Sequence, residues 1–127
     1  GYPRMARAAL PHLEAGACII NTGSVTGLAG SPSLVDYSAS KGAIHALTKA
    51  LAQQVLDRGI RVNAVAPGLV DTPLTETWTA ARQLWNEKSP MKRGAKPEDI
   101  AQVVAMLVAS DYVTGEVVLS DGGLNLT

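Results

Sequence analysis

The sequence predicts an α/β fold with three parallel strands and crossover helices. Three short apolar runs, at residues 17–22, 60–66 and 116–120, have the length and composition of buried strands. Continuous apolar runs of this kind suit a parallel sheet that is covered on both faces. Helical patterns precede the first run and separate it from the later ones. Strands that alternate with helices are joined by right-handed crossovers, so this order predicts one parallel sheet.

The first two helices are predicted from apolar spacing and helix propensity. Residues 5–13 have helical spacing, and Pro11 near their end breaks the last turn. A longer helix runs from residue 35 or 36 to about residue 57, because alanine and leucine dominate it. Gly59 follows as a typical helix-ending residue. The segment 23–32 between these helices is rich in glycine and serine and is predicted as a loop.

The later helices differ in the strength of their signals. Residues 97–109 are predicted as a helix that begins at Pro97, with acidic residues in its first turn. Residues 74–88 have a weak helical pattern and predict one or two short helices on a long excursion. Such excursions often serve as lids or binding segments. Trp78 and Trp85 therefore line an apolar pocket or pack simply onto the domain, and the sequence favours neither.

Composition narrows the classes of function. The chain has 127 residues, 46% of them hydrophobic and 17% charged, which suits one globular domain. Its 11 basic and 11 acidic residues balance, so charge gives no case for nucleic acid or an anionic membrane as partner. No apolar run approaches the roughly 20 residues of a membrane span. Cys18 has no second cysteine for a disulfide or metal cluster, and with no signal sequence recognised this favours a cytoplasmic protein.

Two features predict that this chain is part of a larger assembly. It begins with Gly1 rather than methionine and enters a helical pattern almost at once, which predicts a fragment. The first strand of a three-stranded sheet would also leave an apolar edge unprotected. The long helix has a face of small residues, which packs either against a partner subunit or within the chain.

One constellation has the chemistry of proton transfer. Tyr37 and Lys41 are four residues apart, so on a helix both side chains lie on one face. An ammonium near a phenol stabilises the phenolate and makes the phenol a better acid or base at neutral pH. Ser24 follows the first predicted strand, and its hydroxyl could hold a carbonyl oxygen beside the phenol. These three residues suit the interconversion of a carbonyl and an alcohol.

The same residues have a purely structural interpretation. A tyrosine and a lysine at this spacing fall by chance in roughly 20% of chains of this length. Tyrosine is more often a half-buried packing residue than a catalytic one. The spacing alone therefore suggests the chemistry without deciding it.

Several motifs, in a fixed order, resemble the short-chain dehydrogenase/reductase family. The matching segments are residues 19–24, which end in the serine, 37–42 with the Tyr-x-x-x-Lys signature, 61–68, 70–73, 97–101 and 121–123. Together they span essentially the whole chain and align with the second half of that fold. The resemblance implies a Rossmann-like, doubly wound parallel sheet, with residues 1–127 as the carboxy-terminal part of a single domain. Gly23 departs from the family pattern, which commonly has serine there.

The resemblance also implies a function and its residues. It implies an oxidoreductase that transfers hydride between NAD(P)(H) and a carbonyl or alcohol substrate. The catalytic residues are then Ser24, which orients the carbonyl, Tyr37, the acid/base, and Lys41, which tunes the tyrosine and binds the nicotinamide ribose. No metal ligands are implied. The residues that contact the cofactor are Tyr37, Lys41, Pro67, Gly68, Val70 and Thr72.

Substrate and partners follow less closely from the resemblance. The substrate is a small carbonyl or alcohol compound, with a 3-oxoacyl chain as one candidate, and the protein is expected to form a homodimer or homotetramer. NAD and NADP are not distinguished, because the family's glycine-rich turn has no counterpart in these residues. A second hypothesis is a truncated, non-catalytic remnant that acts as a binding or oligomerisation module.

Overall fold

A computed structural model describes all residues from 1 to 127. Its helices and strands, in chain order, are α1 (Tyr2–Ala9), β1 (Cys18–Thr22), α2 (Thr26–Ala29), α3 (Val35–Val55), β2 (Arg61–Pro67), α4 (Thr79–Lys88), α5 (Pro97–Ala109) and β3 (Val117–Ser120). Short 3₁₀ turns follow α1 and α3, precede α4 and end the chain. The alternation of strands and helices that the sequence predicts is confirmed.

The three strands form one parallel sheet in the order β1-β2-β3. Cys18 of β1 lies beside Arg61 of β2, and Ala64 of β2 lies beside Val117 of β3. The interior of β2, from residue 62 to residue 66, is buried. The central strand therefore has the continuous apolar character that suits a sheet covered on both faces.

Helices cover both faces of this sheet. Val62 of β2 belongs to a buried cluster with Leu51 and Val55 of α3. The guanidinium of Arg61 instead donates to the carbonyl oxygens of Leu107 and Val108 in α5, both at 2.8 Å. Successive strand residues point to opposite faces. The helices α3 and α5 therefore lie on opposite faces, as the predicted doubly wound sheet requires.

The predicted bounds were accurate for α5 and less so elsewhere. The first helix begins at Tyr2 and its α-helical part ends at Ala9, where the predicted span was 5–13. Pro11 lies in the 3₁₀ turn that follows, because proline cannot donate the next helical hydrogen bond. The long helix ends at Val55, before a 3₁₀ turn that Gly59 closes at a φ of 67°. The predicted loop 23–32 contains the short helix α2, which its glycines concealed.

Burial bears on two predicted alternatives. The small residues of α3 are not packed within the chain, because Ala39, Ala43, Ala46 and Ala50 are all exposed. Of the two tryptophans, Trp85 lines a cavity of about 360 Å³, whereas Trp78 is largely exposed and does not. No helix is both long and apolar enough to cross a membrane.

Candidate active site

Lys41 is fixed at the carboxyl end of β1. It lies in the second turn of α3, and its Nζ donates a hydrogen bond of 3.0 Å to the carbonyl oxygen of Thr22. The hydroxyl of Tyr2 donates to the same oxygen at 3.1 Å. Thr22 is the last residue of β1, so this bond places the ammonium where the strand opens into the following loop.

Tyr37 lies one turn before Lys41 on the same face of α3. The Lys41 Nζ is 5.5 Å from the centroid of the tyrosine ring. The tyrosine is 45% exposed, so its ring is half-buried. The structure therefore places Tyr37 next to a positive charge with access to solvent, which is compatible with proton exchange with a bound molecule.

Ser24 follows β1 by two residues and is held by its neighbours. It is only 7% exposed. Its Oγ lies 3.0 Å from Oγ1 of Thr26 and accepts from the Thr26 backbone N–H at 3.3 Å. Its own backbone N–H donates to Nε2 of His45, also at 3.3 Å. Because His45 belongs to α3, this bond attaches the serine to the helix that carries Tyr37 and Lys41.

The loop that carries Ser24 continues along the end of β2. The N–H of Gly23 donates to the carbonyl of Val65 at 2.8 Å, and the N–H of Val25 donates to that of Pro67 at 2.9 Å. Ser24 therefore lies beside the carboxyl ends of two adjacent parallel strands. Ligands of open α/β sheets bind outside these strand ends, and Pro67 and Gly68 lie at the same place.

Gly68 is partly buried, and protein atoms occupy the side on which a side chain would stand. A Cβ on this residue would lie 2.7 Å from Cζ2 of Trp85 and 3.1 Å from Cα of Asp121. The resemblance predicted that Gly68 lets the backbone approach a nicotinamide ring. Here the indole of Trp85 takes up the space next to it.

Val70 and Thr72 form a short extended segment next to residue 95. Val70 pairs with Ala95 in an isolated parallel bridge. The N–H of Asp71 donates to Ala95, and that of Thr72 donates to Oγ1 of Thr75 at 3.0 Å. The N–H of Val70 has no acceptor in the chain. This free donor fits a carboxamide oxygen, so the segment is compatible with the predicted nicotinamide contact.

The cavity beside Trp85 lies apart from the three candidate catalytic residues. It opens at the carboxyl end of β3, and Leu69, Met91, Arg93 and Asp121 are among its lining residues. Neither Ser24, Tyr37 nor Lys41 lines it. Its position is compatible with the lid or binding segment predicted for residues 74–88, since Trp85 lines it.

His45 is the residue at this site that the sequence analysis missed. It is only 6% exposed. Burial lowers its pKa, the positive charges of Lys41 and Lys49 lower it further, and the backbone of Gly27 acts in the opposite direction. A signal was present, because residues 37, 41 and 45 continue the same four-residue spacing on one helix face.

Comparisons with known proteins agree with the fold and with the motifs. A model of the family described as enoyl-(acyl carrier protein) reductase matches residues 1–125. The chain is 45% identical over 109 residues to a Thermotoga maritima protein named 3-oxoacyl-[acyl-carrier-protein] reductase FabG, which covers 84% of this chain and 44% of the relative.

Two solved structures extend the likeness to three dimensions. A short-chain dehydrogenase/reductase of Brucella melitensis, described as a glucose/ribitol dehydrogenase, matches with a TM-score of 0.84 and 34% identity, over 94% of this chain and 49% of that one. A small-chain dehydrogenase in complex with NADPH matches with a TM-score of 0.88 and 28% identity, over 96% of this chain and 57% of that one. The chain thus spans about half the length of the proteins it resembles.

The family model matches almost every residue, and the two solved structures share the parallel sheet with its flanking helices. The chain therefore belongs to the short-chain dehydrogenase/reductase family of NAD(P)-dependent oxidoreductases.

Proposed function

We propose that the protein containing this chain interconverts a carbonyl and an alcohol with NAD or NADP as hydride carrier. The observation that carries the proposal is the position of the Lys41 ammonium. It is 5.5 Å from the Tyr37 ring centroid and is bonded to Thr22, two residues before Ser24. The bond to Thr22 keeps this charge beside the phenol.

In this proposal the proton is transferred by a side chain of this protein, that of Tyr37. During reduction the Tyr37 hydroxyl donates its proton to the substrate oxygen as that oxygen becomes an alcohol. During oxidation the phenolate takes the proton back. The Lys41 ammonium, on the same helix face as the tyrosine ring, would balance the negative charge that develops on the phenol oxygen during this transfer. The bound nicotinamide supplies or accepts the hydride.

Ser24 positions the reacting oxygen in the same scheme. Its Oγ accepts from the Thr26 N–H, so its own proton is available for the substrate oxygen or for Oγ1 of Thr26. A substrate oxygen that takes the place of Thr26 Oγ1 would receive this hydrogen bond. A donor fixed before the reaction stabilises the negative charge that develops on that oxygen.

The cofactor would lie across the ends of β1 and β2. The free N–H of Val70 would donate to the carboxamide, and Thr72 would lie beside it. Pro67 and Gly68 would form the adjoining backbone, and Tyr37 and Lys41 would reach the ribose. NADPH is the first cofactor to test, because one structural relative is described as its complex.

The substrate class and assembly are proposed on more general grounds. A 3-oxoacyl thioester is the first substrate to test, because one relative is named as a reductase of that class. The exposed alanine face of α3 supports a homodimer or homotetramer, and the single unpaired cysteine favours the cytoplasm. Nothing specific favours the hypothesis of a non-catalytic module.

Ser24→Ala provides a direct test of the proposal. In the whole protein that carries this chain, we expect kcat/KM for carbonyl reduction, followed by NADPH absorbance, to fall by about 10²-fold or more. Ser33→Ala is the matched control, because Ser33 is exposed and its hydroxyl contacts only Ser31. If wild-type protein binds NADPH but reduces no carbonyl compound, the proposed function is wrong. If Ser24→Ala is as active as Ser33→Ala, the proposed role of Ser24 is wrong.

A further inference from the structure

The imidazole ring of His45 packs against Gly23, the residue that precedes Ser24. A Cβ on Gly23 would lie 2.1 Å from Nε2 and 2.6 Å from Cδ2 of His45. A Cβ on Gly27 would lie 2.8 Å from Cε1 of the same ring. Real Cβ atoms do not approach other heavy atoms this closely, so the imidazole occupies the space that side chains at both positions would need.

The hydrogen bond to Ser24 fixes the protonation state of this ring. Nε2 of His45 accepts the Ser24 backbone N–H at 3.3 Å, and only a ring nitrogen without a proton can accept. The proton of the neutral ring is therefore assigned to Nδ1. Nδ1 is buried and has no hydrogen-bond partner, and the backbone of Gly27 is the one group near the ring that favours its charged form.

The surroundings of the ring also disfavour a positive charge. Lys41 and Lys49 face it from its own helix, and the packed segment 23–29 contains no ionisable side chain. With burial as the main cause, the pKa of His45 lies below its usual value of about 6.5. The ring is therefore neutral, and its bond to Ser24 intact, at neutral pH.

We propose that His45 is a positioning residue for the reaction, which holds the Ser24 backbone through neutral Nε2 and so fixes where the serine hydroxyl meets the substrate oxygen. The proposal rests on the proposed function of Ser24. Gly23 is required because any larger residue there would displace the ring. Since Ser24 is tied to α3 through this ring, its hydroxyl keeps its place relative to Tyr37 and Lys41.

Two substitutions test whether His45 acts as a hydrogen-bond acceptor or only fills space with its ring. In the whole protein, we expect His45→Leu, which has no acceptor, to lower kcat/KM about tenfold, the effect of one lost hydrogen bond. His45→Gln offers an amide oxygen and is expected to stay within about threefold of wild type. The Kd for NADPH should not change in either variant. Equal activity of His45→Leu and wild type would overturn the proposal.

The pH profile adds a readout that a merely structural role would not affect. Once Nε2 is protonated, it can no longer accept the hydrogen bond from Ser24. The kcat/KM of the wild type should therefore decline at acid pH, whereas that of His45→Gln should not decline for this reason. Because burial lowers the pKa of His45, this decline should begin below pH ~6.5. Identical profiles for the two proteins would contradict the proposal.

A double-mutant cycle tests the steric pairing. Gly23→Ala should lower kcat/KM about tenfold or more while His45 is present, because the new methyl group displaces the ring. In the His45→Ala background, Gly23→Ala should lower kcat/KM by less than about twofold. If Gly23→Ala lowered kcat/KM equally in both backgrounds, the His45 ring would not be the reason that position 23 needs glycine.

One measurement does not depend on turnover. The imidazole ¹⁵N spectrum of the whole protein at pH 7 should show His45 protonated at Nδ1 and not at Nε2. A proton on Nε2 would overturn the proposal even if the enzyme is active. If the predicted tautomer is found but no carbonyl compound is reduced, the proposed function fails while the contact between His45 and Ser24 stands.

Discussion

At the scale of single residues, the packing around Gly68 explains why this position needs a residue without a side chain. It follows β2 directly, and its N–H donates to the carbonyl of Ser120 in β3 at 2.9 Å. Trp85 from α4 and Asp121 after β3 close around the position that a Cβ would occupy. One missing methyl group therefore lets three elements meet beside the proposed cofactor site.

Gly68→Ala should destabilise the protein by about 1–3 kcal/mol, because the added methyl group overpacks this contact. Gly42→Ala is a suitable control. Gly42 lies inside α3, a Cβ there would meet only the Gly27 carbonyl oxygen at 3.4 Å, and alanine favours a helix by about 0.5–1 kcal/mol. Denaturant unfolding of the two variants should show a loss for the first and no loss for the second. If both lose stability equally, the packing account of Gly68 is wrong.

The candidate catalytic residues were easier to predict from the sequence than the residue that holds Ser24 in position. Tyr37, Lys41 and Ser24 were found because their side chains have a chemistry that spacing can reveal. His45 was missed because its contact with Ser24 joins residues 21 positions apart, and it depends on the absence of a side chain at Gly23. The three catalytic assignments remain predictions until activity is measured.

At the scale of elements, α3 is joined to β1 through a buried polar contact. Nδ2 of Asn21 donates to Oγ1 of Thr48 at 2.9 Å, and that hydroxyl donates to the carbonyl of Ile44 at 2.8 Å. Both side chains are buried, and Thr48 is fully so. Asn21 precedes Thr22, whose carbonyl holds Lys41, so this contact supports the register between β1 and α3.

Thr48→Val should cost about 1–3 kcal/mol of stability, since the isosteric methyl group leaves the buried Asn21 amide without an acceptor. Thr77→Val, at an exposed threonine, should change stability by less than about 0.5 kcal/mol. Thermal unfolding of the two variants checks the difference. Matching melting temperatures would mean that the buried bond contributes nothing.

The predictability of each element followed the strength of its local signal. The helix 97–109 was predicted to the residue because Pro97 and the acids after it mark a helix start. The turn of helix at residues 26–29 carried glycine on both sides and inside, so no local signal separated it from a loop. The second strand was predicted to end at residue 66, yet Pro67 is its last residue, because it still pairs with Ser120 and its carbonyl accepts from Val25.

At the scale of the whole molecule, the sheet brings the candidate residues to one end. The carboxyl ends of β1 and β2 carry Ser24 and Pro67, and α3 crosses back so that Lys41 reaches Thr22. Alternation of strands and helices was enough to predict this topology. It was not enough to predict the cavity beside Trp85, because that depends on how residues 74–93 fold over β3.

The outer edge of β1 has no partner strand. β1 pairs only with β2, and an apolar groove lined by Met5, Ala6, Ile19 and Ile20 runs beside it. The proteins that this chain resembles are about twice as long. Activity and cofactor binding are therefore best measured on the whole protein that contains the chain.

The central claim is that the Tyr37 hydroxyl transfers the proton, and Tyr37→Phe tests it most directly. Tyr112→Phe is the control, because Tyr112 is fully exposed. Under single-turnover conditions with saturating NADPH, we expect Tyr37→Phe to slow carbonyl reduction by about 10²- to 10⁴-fold, with melting temperature nearly unchanged, while Tyr112→Phe reacts at the wild-type rate. If Tyr37→Phe reduces the substrate as fast as Tyr112→Phe, the proton comes from another group and the account is wrong.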